Sequence, residues 1–262
     1  MRQGTWSKEH RTRGLLYAVT LSILLLACGT EEAPGPLQPS GPTGRVRLVN
    51  LITDVTRGRI NASLEGVPFA VDLTYALSAP ATLPAPSTAP YAAVLAGNRA
   101  FVLKRTADTS VTIATLNFTV GDGEDRTVYA IGGTGNSNVT GFVTTDQNPA
   151  AASNQTRVRV VNMSPTAGSI DVFITAPNAD LSTATPTFTA MAYQAASAYV
   201  TVTPGSVQFR AVPAGTAAAN RAANVSINLA STALLGGTGR TFVTADNNVG
   251  GTPLRAFVLG DR

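Results

Sequence analysis

The sequence predicts an all-β protein built as two tandem antiparallel β-sandwiches. Three observations carry that expectation. Apolar and polar residues alternate at period two in many short runs, as in Val111 to Phe118, Tyr199 to Val202 and Val225 to Leu229. Gly, Asn, Asp and Pro interrupt these runs at intervals of roughly 8–15 residues, while Thr, Val and Ala dominate within them. Finally, Arg45-Val46-Arg47-Leu48-Val49-Asn50 recurs 112 positions later as Arg157-Val158-Arg159-Val160-Val161-Asn162.

Residues 1–27 read as an export signal. A basic stretch ends at Arg13, and residues 15–27 are apolar apart from Thr20 and Ser22. Thirteen residues at ~1.5 Å rise span about 20 Å, short of the ~30 Å hydrocarbon core of a bilayer. Cleavage therefore fits better than a permanent span. The closing residues Leu25, Leu26, Ala27 and Cys28 resemble the lipobox of bacterial lipoproteins. That resemblance implies cleavage before Cys28, acylation of its thiol, and attachment to a membrane through lipid. At ~0.8 kcal/mol per buried CH₂, two or three acyl chains anchor a protein lastingly. Gly29 stands where some lipoproteins carry the Asp that retains them at the inner membrane. The resemblance thus implies a cell-envelope protein at the outer membrane, facing periplasm or surface.

Residues 28–44 form the lipidated Cys and a tether carrying Pro34, Pro36, Pro39 and Pro42. At ~3.1 Å per residue such a segment reaches up to ~50 Å from the lipid. Residues 45–146 are the first expected sandwich domain, residues 147–156 a small polar linker, and residues 157–262 the second domain. Order is kept within the copies: Tyr91, Gly97 and Phe101 match Tyr199, Gly205 and Phe209, Arg126–Tyr129 matches Arg240–Val243, and Gly141–Asp146 matches Ala256–Asp261. Each copy is large enough to bury its own core and is expected to fold alone, with about seven strands. Antiparallel pairing is expected because parallel pairs need crossover helices that this sequence does not offer. Val46 and Leu48 alternate with Arg45 and Arg47, so each opening strand is expected to have one apolar face and one wet face.

At Arg157–Thr175, RVRVVNMSPTAGSIDVFIT, the second copy resembles the bacterial domain-of-unknown-function 4397 family. Arg157, Val158, Val160, Val161, Asn162, Ser164, Pro165, Asp171, Val172 and Phe173 carry the resemblance, whereas the first copy has Leu51 to Asp54 in place of Ser-Pro. The resemblance implies an immunoglobulin-like β-sandwich module of exported and envelope proteins, with no catalytic residue to carry over.

Charge and chemistry narrow the function. Of 19 basic and 15 acidic residues, the signal holds Arg2, Lys8, Arg11, Arg13 and Glu9, which leaves 15 and 14 in the mature chain. Its basic residues are scattered and not interleaved with aromatics, so nucleic acid is not an expected partner. His10 and Trp6 both lie in the signal. A mature chain without His and with its one Cys acylated has no Ser-His-Asp or Cys-His nucleophile and no His/Cys metal site. No cofactor and no metal ligand is assigned. Lys104 reads as a solvated charge late in a strand. Asp122 to Asp125 could offer oxygens to calcium, but Gly121-Asp122-Gly123 reads as a hairpin turn. Asp72 and Asp171 are expected to point outward, and Tyr91 and Tyr199 to be core or corner residues. The expected role is therefore a non-catalytic interaction or structural module, with an envelope protein or a glycan as partner. A carbohydrate-binding surface protein is the first alternative and a carboxylate-only enzyme the second; oligomeric state stays open.

Overall fold

The computed structural model describes residues 41–80, 91–146 and 149–261. Leu25, Leu26, Ala27, Cys28 and the tether up to residue 40 lie outside the described residues. In the first copy the strands are β1 (Thr43–Ile52), β2 (Ile60–Leu64), β3 (Val67–Leu73), β4 (Ser78–Ala79), β5 (Ala92–Leu95), β6 (Gly97–Arg105), β7 (Thr112–Val120), β8 (Asp125–Gly132) and β9 (Val139–Asp146). The second copy has β10 (Thr156–Asn162), β11 (Ile170–Thr175), β12 (Phe188–Met191), β13 (Ala195–Ala196), β14 (Val200–Val202), β15 (Gly205–Pro213), β16 (Ile227–Leu234), β17 (Thr238–Ala245) and β18 (Arg255–Gly260). Nine strands per copy replace the expected seven, because very short strands such as β4 and β13 pair against the opening strand of each copy.

The repeat extends to the whole topology. One sheet of the first copy has the order β4-β1-β8-β9 with β5 also on β1, and the other β3-β2-β6-β7. The second copy reproduces both, as β13-β10-β17-β18 with β14 on β10, and β12-β11-β15-β16. Each copy is therefore a two-sheet sandwich, and the all-β reading holds.

Pairing is not wholly antiparallel. β1 runs parallel to β8, from Arg45 opposite Asp125 to Ile52 opposite Gly132, and β10 runs parallel to β17. The other pairings are antiparallel, as expected; at these two pairs the expectation does not hold, because a crossover does not have to be a helix. Between β1 and β8 the chain builds the opposite sheet, and that sheet is the crossover.

Alternate residues of these strands fill the cores. Val46, Leu48, Ile60, Phe101, Leu103 and Val128 are buried in the first copy, with Phe101 stacked on Phe118 at 5.1 Å and met edge-on by Phe69 at 4.8 Å. In the second copy Val158, Val160, Ile170, Val172 and Phe209 are buried, and Phe209 stacks on Phe242 at 5.2 Å. Each fully buried side chain of this kind contributes roughly 1.5–3 kcal/mol.

A third cluster joins the copies. Val49, Leu51, Tyr129 and Ile131 of the first pack with Val161, Met163, Val243, Ala245 and Leu259 of the second, and Ser40–Arg262 forms one compact unit. Of these, Val49, Leu51 and Val161 lie on the opening-strand faces expected to be wet. β1 and β10 are buried on both faces, and Arg47 and Arg159 are 0% and 2% exposed. The period-two pattern correctly separated the faces; what covers the second face is the sister sheet rather than water.

Candidate functional site

The functional side chains are built from the strands that carry the repeat. Arg47 in β1 lies opposite Thr127 in β8, and Arg159 in β10 opposite Thr241 in β17. Each copy ends on an aspartate, Asp146 closing β9 and Asp261 following β18. The copies exchange partners across their interface. Arg47 Nη2 reaches Asp261 Oδ1 at 3.0 Å and Nη1 donates to the Gly260 carbonyl at 2.7 Å. Reciprocally, Arg159 Nη2 pairs with Asp146 and Nη1 donates to the Thr145 carbonyl at 3.2 Å. Arg47 also lies 3.7 Å from Asp146 of its own copy.

Tyrosines and threonines complete this ring. Tyr91 donates to Asp146 Oδ2 at 2.6 Å and Tyr199 to Asp261 Oδ2 at 3.0 Å. Thr127 and Thr241 hydroxyls donate to the same two carboxylates. The Arg47 guanidinium lies 4.5 Å from the centre of the Tyr91 ring and that of Arg159 4.8 Å from Tyr199, which adds cation–π attraction in a desolvated setting. Burial alone would raise the Asp146 carboxyl, but Arg159, Arg47 and the hydroxyl donors hold it below its ordinary value. Burial pushes the Tyr91 phenol strongly upward. The side chains of Arg47, Asp146 and Asp261 are sealed from solvent. Each copy offers Arg and Asp to the other, the self-complementary pattern of a twofold dimer, here within one chain.

The remaining sequence candidates are dispersed. Asp125 is buried and pairs with Arg45 at 2.5 Å, Glu124 pairs with Arg126 at 2.6 Å, and Asp122 accepts from the Thr43 amide at 3.2 Å. This turn joins β7 of one sheet to β8 of the other, so it is a corner between sheets and not a hairpin. Among the described residues no group of three or more His, Cys, Asp or Glu is placed to hold a metal ion. Lys104, half-buried in β6, has Asn61 and Thr112 as register partners. Asp72 is partly exposed and pairs with Arg59. Asp171 departs from expectation: it leaves the sandwich core but is 7% exposed, accepting from the Ala190 and Gly215 amides at 2.8 and 3.0 Å. Tyr91 and Tyr199 sit at the interface, as core and corner residues do.

The other end of the interface opens. There both copies line a cleft of about 450 Å³ with Asp54, Arg59, Thr74, Tyr75, Asn248 and Arg255. Sequence reading missed it, because its two walls come from segments more than 170 positions apart. Among the described residues no helix is long and apolar enough to cross a membrane.

No curated protein matches the chain. Among solved structures, a streptococcal virulence factor described as binding alpha-glucan aligns at 10% identity, covering 79% of this chain and 94% of its own, with a TM-score of 0.25. That score is too low to establish equivalence of fold or function. In sequence, the opening strand, the rest of the first copy and the start of the second fall within one match, and residues 44–173 of this chain resemble the family described as "Domain of unknown function (DUF4397)".

Proposed function

We propose that the chain is a lipid-anchored protein of the bacterial envelope whose paired repeats form a non-catalytic binding or structural module. The observation that carries this reading is the lipobox-like Leu25–Cys28, followed by a proline-rich tether that leads straight into β1. The geometry is consistent with presentation away from a membrane. The tether enters at Thr43, and the cleft opens beside Ile52 at the other end of β1, ~30 Å away at ~3.3 Å per residue.

The lack of His in the mature chain and the engagement of Asp146 and Asp261 in the sealed ring support a role without catalysis. Those carboxylates hold the copies together and are not open to substrate. Binding at the open end is left as the activity, and the mixed polar lining of the cleft favours a glycan over a protein partner.

Cell fractionation tests the anchor. Wild-type chain is expected in the outer-membrane fraction and to incorporate labelled palmitate, whereas Cys28→Ala is expected in the soluble periplasmic or secreted fraction without label. Equal partitioning of the two forms would refute the anchor.

A further inference from the structure

The cleft between the copies is lined by turn and strand-end residues of both. Asp54 and Arg59 come from the β1–β2 turn, Thr74 and Tyr75 from the β3–β4 connection, and Asn248 and Arg255 from the β17–β18 connection and the start of β18. Arg255 is exposed and its guanidinium lies 5.7 Å from the centre of the Tyr75 ring. Among the described residues no hydrogen bond or ion pair engages that guanidinium. The neighbouring arginines differ, since Arg59 pairs with Asp72 and Arg57 with Asp54. Tyr75 is fixed in place by donating to the Asp246 carbonyl at 2.7 Å.

The other charges limit what Arg255 can accept. Asp54 stays ionised: burial would raise it, but Arg57, Thr56 and two backbone amides bring it to about 2. Asp246, close behind Tyr75, has its carboxylate bound by Ser164, Thr166 and the Gly251 amide. A phosphate dianion would concentrate two charges on one group beside both carboxylates, whereas a uronate places one charge at Arg255 and any others a ring or more away. A neutral sugar would leave Arg255 unmatched. A carboxylate carried on a polyhydroxylated ring suits these walls: one negative charge fits a planar guanidinium, ring C–H groups fit the tyrosine, and hydroxyls fit Thr74 and the Asn248 amide, while Asp54 is already engaged by Thr56 and Arg57.

We infer that this cleft binds a uronate-type saccharide, its carboxylate on Arg255 and its hydroxyls on Thr74 and Asn248. The inference rests on the reading of the chain as a binding module and names the ligand class. Calorimetric titration of the full mature chain with trigalacturonate, maltotriose and inorganic phosphate tests it. Trigalacturonate is expected to bind about tenfold or more tightly than either other probe, and Arg255→Gln to weaken it about tenfold, the size of one charge-assisted hydrogen bond. Absence of trigalacturonate binding to the wild-type chain, equal affinity for phosphate or maltotriose, or full affinity in Arg255→Gln would overturn it. The anchor is separable. If the envelope reading is wrong but the cleft is right, trigalacturonate binds a chain that fractionates as soluble; if the reverse holds, a membrane-bound chain fails to bind it.

Discussion

Arg47 and Arg159 are the side chains on which the two copies depend. Both guanidiniums are buried, so removing one leaves carboxylate charge stranded in a dry interface. Arg159→Met takes from Asp146 its cross-interface partner and leaves Arg47, at 3.7 Å, as its remaining cationic partner among the described residues, beside the hydroxyls of Tyr91, Thr127 and Thr144. The expected loss is about 3–5 kcal/mol, which lowers the thermal midpoint by about 10 °C for a body of this size. Scanning calorimetry reads this directly, and a midpoint within a degree or two of wild type would show that the ring is energetically idle. Replacing Arg159 and Asp146 together by Met and Leu should cost less than either single change, since no unpaired charge then remains.

The tyrosines carry a pH signature at the same scale. Burial raises the phenols of Tyr75, Tyr91, Tyr129 and Tyr199 above their ordinary value. A phenol raised on folding gives stability that is fully present below its unfolded value near ~10 and is lost as pH climbs towards its folded value. In an alkaline titration followed by phenolate absorbance, these four should ionise only together with unfolding, above pH ~10. Ionisation of all four near pH 10 with the circular dichroism unchanged would contradict their burial.

At the scale of elements, the asparagine that ends each opening motif explains why strand and turns hold together. Asn50 donates to the Gly58 and Leu73 carbonyls, both at 2.8 Å, and Asn162 to those of Gly168 and Met191 at 2.8 and 2.9 Å. Their side-chain oxygens accept from the Ile52 and Ser164 amides. A carboxamide is required, because the site needs two donors and an acceptor. Asn162→Asp, as a carboxylate, supplies neither donor and should destabilise by about 1–3 kcal/mol, measured by urea denaturation. An unchanged midpoint would place the clamp elsewhere.

Gly132 closes the parallel pair in the same region. It has φ +102 and a Cβ there would overlap the Asn138 carbonyl, so the end of β8 can turn into the 3₁₀ segment Thr134–Asn136 only without a side chain.

This is also the scale that shows how much was legible. The Arg-Val-Arg-x-Val-Asn repeat, the matched Tyr91/Tyr199 pair and the final aspartates Asp146 and Asp261 were all visible as letters, and they define the ring. What the letters lacked was the partner. A strand with alternating Arg and Val looks the same whether its charged face meets water or another sheet, and only recurrence of Arg and Asp together in both copies hinted at reciprocal pairing. The parallel pairs and the cleft were hidden for a related reason. Both depend on contacts of long sequence separation, such as Tyr75 with Asp246, which periodicity does not report.

For the molecule as a whole, the architecture couples two sandwiches that each have a core of their own. The shared cluster of Val49, Leu51, Tyr129, Ile131, Val161, Met163, Val243, Ala245 and Leu259 is as dry as either internal core. The ion ring at one end of it is sealed. Exposing that face would strand four buried charges and several large apolar side chains at once, a cost that one copy standing alone would bear in full. Unfolding of either copy should therefore bring down the other. The expected result is a single calorimetric transition for the mature chain, with calorimetric and van't Hoff enthalpies equal, and a substitution confined to the first core, such as Phe101→Ala, should lower the midpoint of that one transition by shifting the whole curve. Two resolved transitions, with only the first moved by Phe101→Ala, would mean that the interface is too weak to couple the copies. The cleft would then be a gap between independent domains, and its walls would not be held in register tightly enough to select a ligand.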